Sequence, residues 1–283
     1  MNILFIGAHP DDCEFCGSGL AMKYVRDGHN VRFLSIADGS GGHHEMNRAE
    51  IAARRWGETR EVEKLTGIKY DVWNIPDCEV EADLRTRERL IRYIRDYRPD
   101  VIFTHRTNDY HADHRNTGLL VQDASYLLVV PNYCPDSPAL RYMPVIMFFG
   151  DRFKNPPFVP DMVIDIEDTV EMKWKMLDKH VSQVYEWLPY TYGTLEEVPS
   201  DHQARYEWML GDVLTDDMTD EKILDGTLKG YRKRFAVPAS QYRDKLIERY
   251  GEKGKKIRYA EAYALSEYGK QPTKDELAML IPY

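Results

Sequence analysis

Ile3-Leu4-Phe5-Ile6-Gly7-Ala8-His9-Pro10-Asp11-Asp12-Cys13-Glu14 runs from an unbroken apolar stretch straight into a histidine, a proline and three acids. The apolar half reads as a buried strand. A strand that ends in such groups gathers polar side chains at one edge of a sheet, where α/β proteins place their ligand sites. Strand-like and helix-like segments then alternate. Val31 to Ala37, Asp71 to Ile75 and Val101 to Thr104 read as strands. Gly19 to Asp27, Asn47 to Trp56, Leu84 to Tyr97 and His114 to Val129 read as helices, with Gly28, Gly57 and Pro131 as stops. This order predicts an α/β fold with a mostly parallel sheet and helices on both faces. Right-handed crossovers bring the C-terminal ends of the first and fourth strands to one edge.

Beyond residue 131 the pattern loosens. Pro144 to Phe149 and Met162 to Ile166 continue the strands, and Glu171 to Val184 reads as a helix. Tyr185 to about Asp220 is rich in Tyr, Trp and acids and has no clean period. Helices are expected at Asp220 to Lys229, Ser240 to Tyr250 and Tyr259 to Tyr268. With no repeat or linker, the expectation is a single domain over residues 1–283. Its core spans about residues 1–184, and residues 185–283 form a C-terminal extension that wraps or caps it.

The bulk composition excludes several classes. An apolar content of 43% supports a substantial core rather than disorder. A formal charge of -9 argues against a dedicated nucleic-acid binder or adhesion to anionic membranes. Four cysteines at irregular spacings do not make a disulfide framework. The apolar runs are too short to span a bilayer, and no signal-type segment precedes the first strand, so a cytoplasmic location is expected.

A second cluster, His111-Ala112-Asp113-His114, follows the fourth strand and falls at the same edge. His9, Asp12 and His114 supply a His₂Asp set, the composition of a catalytic zinc site that keeps one position for water. Asp11, left out of that set, suits proton transfer. His111 and His114 are three apart and share a face of a helical turn, so His111 can meet a developing oxyanion as imidazolium while Asp113 orients an imidazole. Taken alone, His9-Pro10-Asp11-Asp12 could be a solvated turn; two such clusters at strand ends favour one zinc per chain, with another divalent ion as the alternative. His43 and His44 read as inert loop residues, His105 as a supporting or packing residue, and His180 as a pocket residue or a helix cap. Cys13 and Cys16 have a C-x-x-C spacing but no second pair, and packing is the expected role.

Ala8-His9-Pro10-Asp11-Asp12 with Glu14, together with His111-Ala112-Asp113-His114-Arg115, resembles the two signature motifs of the PIG-L/LmbE-like de-N-acetylase family, Ala112 replacing the usual proline. Arg48-Ala49-Glu50, Pro76-Asp77, His180-Val181-Ser182-Gln183 and Glu261-Ala262-Tyr263 add weaker matches. The resemblance implies a Rossmann-like three-layer α/β/α fold and zinc-dependent removal of acetyl from an N-acetylated amino sugar or N-acetylglucosamine conjugate. It implies zinc on His9, Asp12 and His114, Asp11 as general base, and His111 with Asp113 at the transition state. Arg48 and Asp77 are the implied substrate contacts. The expected partner is a small N-acetylated sugar, and oligomeric relatives make a homo-oligomer compatible with the family. Alternatives are an amidase on a thiol or sugar conjugate, a metal-dependent phosphoesterase, and a non-catalytic sugar-binding protein. Tyr185 to Tyr192 reads as core or subunit contact ahead of a sugar-stacking platform.

Overall fold

The computed structural model describes residues 1–283. Strand β1 (Asn2–Gly7) lies near the middle of a seven-stranded sheet, and its side chains alternate between two cores. Ile3 and Phe5 enter one cluster with Leu20 and Tyr24 of α1 (Asp12–Arg26), Val62 of α2 (Arg48–Thr66) and Met176 of α5 (Val170–Lys179). Leu4 and Ile6 enter the other with Leu90, Ile91 and Ile94 of α3 (Leu84–Tyr97) and Leu120, Val121 and Ala124 of α4 (Ala112–Leu127). Helices therefore cover both faces, as the alternation of segments predicts. Each large apolar side chain buried fully in this way contributes about 1.5–3 kcal/mol.

The remaining strands are β2 (Asn30–Ala37), β3 (Lys69–Ile75), β4 (Val101–Thr104), β5 (Val145–Phe149), β6 (Met162–Asp165) and β7 (Ala260–Gly269), in the order β3-β2-β1-β4-β5-β7-β6. The first five are parallel to one another. β7 runs antiparallel between β5 and β6. The order reverses between β1 and β4, which makes a Rossmann-like switch point where both His/Asp clusters emerge. The register pairs Ile6 with Thr104, so the two strands end side by side.

Several boundaries differ from expectation, each for a local reason. α1 begins at Asp12, seven residues before the predicted Gly19 start. Gly17 is not a breaker there: a Cβ would come within 2.5 Å of the Phe5 ring, so glycine lets the helix lie against β1. α2 runs through Gly57 to Thr66, started by an Asn47/Glu50 capping box and ended by left-handed Gly67. The expected helix Glu171 to Val184 stops at Lys179, and a π-helical stretch, Ser182–Trp187, follows. The aperiodic segment then holds α6 (Leu188–Tyr192) and α7 (His202–Leu210). The last third adds α8 (Asp220–Leu224), α9 (Gly230–Gln241) and α10 (Arg243–Tyr250), with α11 (Lys274–Leu280) after β7.

The expected helix from Tyr259 to Tyr268 is strand β7 instead. Its alanines favour a helix locally, but ladders on both sides outweigh that preference. Buried Glu261 fixes its place. That carboxylate accepts from the Gly19 and Leu20 amides at 2.9 and 2.8 Å and from Lys173 Nζ at 2.6 Å. No helix is long and apolar enough to cross a membrane.

Candidate metal centre

The turn after β1 is built around Asp12. A Cβ on Gly7 would lie 2.7 Å from the Asp12 Cβ, so only glycine lets the first turn of α1 fold back over the strand end. The His9 amide donates to Asp12 Oδ2 at 2.8 Å, which fixes the carboxylate toward the histidine. Asp11, the residue preceding the helix, has φ of 141°, a conformation that L-residues adopt at a cost and that recurs at functional sites.

Three side chains converge as the sequence predicts. His9 Nδ1 and His114 Nε2 are 3.3 Å apart. The Asp12 carboxylate lies 3.5 Å from the first through Oδ2 and 3.4 Å from the second through Oδ1. Two ligands each about 2.0–2.1 Å from a tetrahedral ion sit about 3.3–3.4 Å apart, so the two histidine nitrogens are spaced as one edge of a zinc tetrahedron and the Asp12 carboxylate lies beside both. The donor set fits a divalent ion in size and in chemistry.

Carboxylates back both imidazoles. His9 Nε2 is 3.1 Å from Asp113 Oδ2 and 3.2 Å from Asp77 Oδ1, and His114 Nδ1 is 3.1 Å from Asp109 Oδ1. Such partners fix the tautomer and orient the ring of a metal-binding histidine. Asp113 is itself held by the Cys78 and Val80 amides at 2.7 and 3.2 Å. Burial pulls the His9 pKa down, but Asp113, Asp12 and Asp77 outweigh it and raise it well above the usual imidazole range. Burial alone would raise Asp12; His114 and His105 instead hold its carboxyl well below the usual range.

Asp11 stands beside this triangle in a different environment. Its Oδ1 is 3.1 Å from Arg55 Nη2, and its amide donates to the Tyr70 hydroxyl at 3.2 Å. Burial pushes its pKa up to about 6, the Arg55 charge opposes that rise, and neighbouring Asp12 adds to it. A carboxyl tuned near neutrality is suited to move protons at working pH. Behind it, buried Glu14 takes a hydrogen bond from Tyr70 and lies 2.9 Å from His180 Nε2.

The other expected residues land as follows. His111 caps α4: its Nδ1 accepts from the Asp113 amide at 3.2 Å, which leaves the proton on Nε2. Burial, then the nearby His9 and His114, lower its pKa, so the ring is a neutral donor rather than an imidazolium. Asp77 lines the cavity, but its carboxylate is engaged with His9 and the Gly41 amide. Arg48 is exposed, pairs with Glu79 at 2.6 Å and is not among the residues that line the cavity. His105 lies 3.2 Å from Asp12 and stacks on His114 at 4.1 Å. His43 pairs with Glu186 at 2.9 Å, and His44 stacks on Tyr190. Cys13 is buried and Cys16 half-buried at the cavity wall, and burial raises the pKa of both thiols, which suits packing rather than redox work.

Sequence reasoning missed Arg55 and Asp109. Arg55 donates to the Pro10 carbonyl at 2.6 Å as well as facing Asp11, so it clamps the turn. It lies seven residues after Arg48, two helical turns further along one face of α2 and already inside the predicted helix Asn47 to Trp56, which offered the signal. Asp109 stands two residues before His111 and also accepts from the His111 amide at 3.0 Å.

The site opens into a cavity of about 750 Å³. Strand ends and the glycine loop form its floor, with Gln183 donating to the Gly42 carbonyl at 2.9 Å. α9 and the segment after β5 form the outer wall, so the C-terminal third does help enclose the site.

The fold and this cluster define a Rossmann-like α/β protein with a possible His/Asp metal centre at the switch point of its sheet. A family model described as PIG-L, GlcNAc-PI de-N-acetylase, matches residues 4–125, and the chain is PIG-L/LmbE-like over that region. It is 28% identical over 201 residues to diacetylchitobiose deacetylase from Thermococcus kodakarensis, covering 67% of this chain and 74% of that protein. It is 23% identical to 4-oxalmesaconate hydratase from Pseudomonas putida, over 69% of this chain and 79% of the relative. The fold is shared with N,N'-diacetylchitobiose deacetylase from Pyrococcus horikoshii, with a TM-score of 0.67 at 23% identity, covering 97% of this chain and 88% of the other.

Proposed function

We propose that the chain is a zinc-dependent hydrolase that removes the acetyl group from an N-acetylated amino sugar or N-acetylglucosamine conjugate, as a single domain acting on a small molecule in the cytoplasm. The observation that carries this reading is a His₂Asp cluster, its two histidine nitrogens 3.3 Å apart, with a separate carboxyl, Asp11, pushed up to about 6 by burial beside it. The deacetylase relative supports the choice of an acetamide.

His9, Asp12 and His114 would hold the ion. When bound, zinc supplies a Lewis acid that polarises the amide carbonyl and acidifies water. Asp11 takes a proton from the attacking water and delivers it to the departing nitrogen, so that acetate leaves and a free amine remains. His111 donates Nε2–H to the oxyanion as it develops. Asp113 and Asp77 hold His9 in one orientation, Asp109 does the same for His114, and Arg55 keeps Asp11 aimed at the reacting atoms.

The test is an amine-release screen over N-acetylglucosamine, its oligomers and its glycosides, with bound zinc quantified. D11N is expected to keep zinc and lose about 10²-fold or more in turnover, the scale of a general base. H114A is expected to lose the zinc itself. Undiminished acetate release by D11N would sink the assignment of Asp11. Absence of amine release, with hydration of an unsaturated carboxylate instead, would overturn the reaction in favour of the chemistry named for the Pseudomonas relative.

A further inference from the structure

A second group of metal-binding side chains stands on the far side of His9. One donor atom each from Asp77, Cys78 and His111 lie within 4.8 Å of one another. None of the three belongs to the cluster of His9, Asp12 and His114. The His9 ring separates the two groups: its Nδ1 faces His114 at 3.3 Å, while its Nε2 faces Asp77 Oδ1 at 3.2 Å. The same Asp77 oxygen lies 3.4 Å from Cys78 Sγ. A sulfur about 2.3 Å and an oxygen about 2.1 Å from a tetrahedral ion sit about 3.6 Å apart, so an ion fits this pair with little movement.

The turn that carries Cys78 is fixed before any ion arrives. Its φ of 70° is a left-handed conformation, costly for a residue with a Cβ. Hydrogen bonds hold it there. The Cys78 amide donates to Asp113 Oδ2 at 2.7 Å, and the Asp77 amide donates to Asp38 Oδ1 at 3.1 Å and Ser40 Oγ at 3.2 Å. The Glu79 amide closes the turn on the Pro76 carbonyl at 3.0 Å. Strained residues fixed by their surroundings recur at ligand clamps. Cys78 is exposed, unlike Cys13 and Cys134, so ions reach it from solvent. Asp77 and His111 line the cavity beside it, and Arg55 stands 3.9 Å from the other Asp77 oxygen.

We propose that Asp77, Cys78 and His111 form a second divalent-ion site, selective for thiophilic ions such as zinc, cobalt and cadmium, and that filling it slows turnover. Thiolate sulfur favours these ions over magnesium. On binding, Cys78 Sγ gives its proton to solvent and bonds to the ion, which releases a water. His111 cannot then keep its present work. Through Nδ1 it would leave the Asp113 amide, and through Nε2 it would give up the proton meant for the oxyanion. The slowing rests on the de-N-acetylase reading above; the binding does not.

Cobalt is titrated anaerobically into the full metal-free chain while absorbance follows the near-ultraviolet thiolate-to-cobalt charge-transfer band, which His and Asp ligands do not produce. The band is expected to be absent at one equivalent and to grow with the second. C78S keeps the amide that holds Asp113 and removes the thiol. It is expected to keep the visible band of the first cobalt, which shows that it folds, and to lose the charge-transfer band. H111A is expected to keep the first cobalt and to bind the second at least about tenfold more weakly. No charge-transfer band in the parent, a band complete at one equivalent, one that survives in C78S, or equal affinity in H111A overturns the site. In the chain loaded with one zinc and releasing amine, excess zinc is expected to slow turnover, and C78S to need at least about tenfold more zinc for the same slowing. Indifference to excess zinc, or equal sensitivity in C78S, overturns the slowing while leaving de-N-acetylation standing. If no substrate releases amine, the reaction reading fails, and the cobalt titration alone decides the site.

Discussion

Replacing Lys173 by methionine tests how the site is held. The ammonium of Lys173 is fully buried and touches four groups. It donates to the carbonyls of Glu14 and Phe15 at 2.8 and 2.9 Å and to Glu261 at 2.6 Å, and it lies 4.4 Å from the Phe235 ring centre. Tyr263 adds a fifth group at one remove, through its 2.7 Å bond to Glu261. K173M keeps most of the volume and removes the charge. It leaves a buried carboxylate without its counter-ion and two helix carbonyls without their donor. Removing one partner of a buried pair costs about 3–5 kcal/mol. In a chain of this size that loss corresponds to a fall of roughly 10 °C in Tm. K173M/E261Q takes away both charges and is expected to recover about 1–3 kcal/mol relative to K173M, the coupling between contacting groups. Urea unfolding of the four chains of the cycle measures both quantities. A K173M loss within about 1 kcal/mol of the parent, or a double variant no more stable than K173M, would refute the reasoning.

Two further substitutions probe the metal centre from outside its ligands. D113N and D109N remove the negative partners of His9 and His114, and each is expected to weaken zinc binding about 10–100-fold in a competitive chelator titration. Unchanged affinity in both would show that the imidazoles are oriented by something else. G7A places a methyl where the Asp12 Cβ lies 2.7 Å away, so zinc affinity should fall while the far-ultraviolet spectrum stays native. Full affinity in G7A would count against the close packing of the turn.

Much of this arrangement is legible in the sequence because it is local or periodic. Leu84 to Tyr97 and Val101 to Thr104 have the limits that their apolar spacing predicts. The His9/Asp12 and His111/His114 clusters could be joined because parallel strands with right-handed crossovers leave few other places for them. What escapes the sequence depends on partners far along the chain. Gly57 stops nothing, since burial of Ile51 and Val62 on either side carries α2 through it. Ala260 to Gly269 has helical composition, and only the strands on both sides make it a ladder. Arg55 is one of many arginines until the fold brings it 3.1 Å from Asp11. Asp77 was expected on the substrate and is instead turned toward His9, a contact that its short motif could not indicate.

The position of β7 has a consequence for the order in which the molecule can form. β6 is bonded only to β7, and β7 is the last strand of the chain. During synthesis, β1 to β5 can pair as soon as each leaves the ribosome, while β6 waits for about a hundred further residues without a neighbour. At roughly 5–20 residues per second, that wait lasts about 5–20 seconds. Throughout it the outer edge of β5 is unpaired and sticky. The Glu261 carboxylate arrives with the same late strand, so the brace on α1 is fitted last. The nascent chain therefore holds both signature motifs long before it holds the helix that carries Asp12 in its final place.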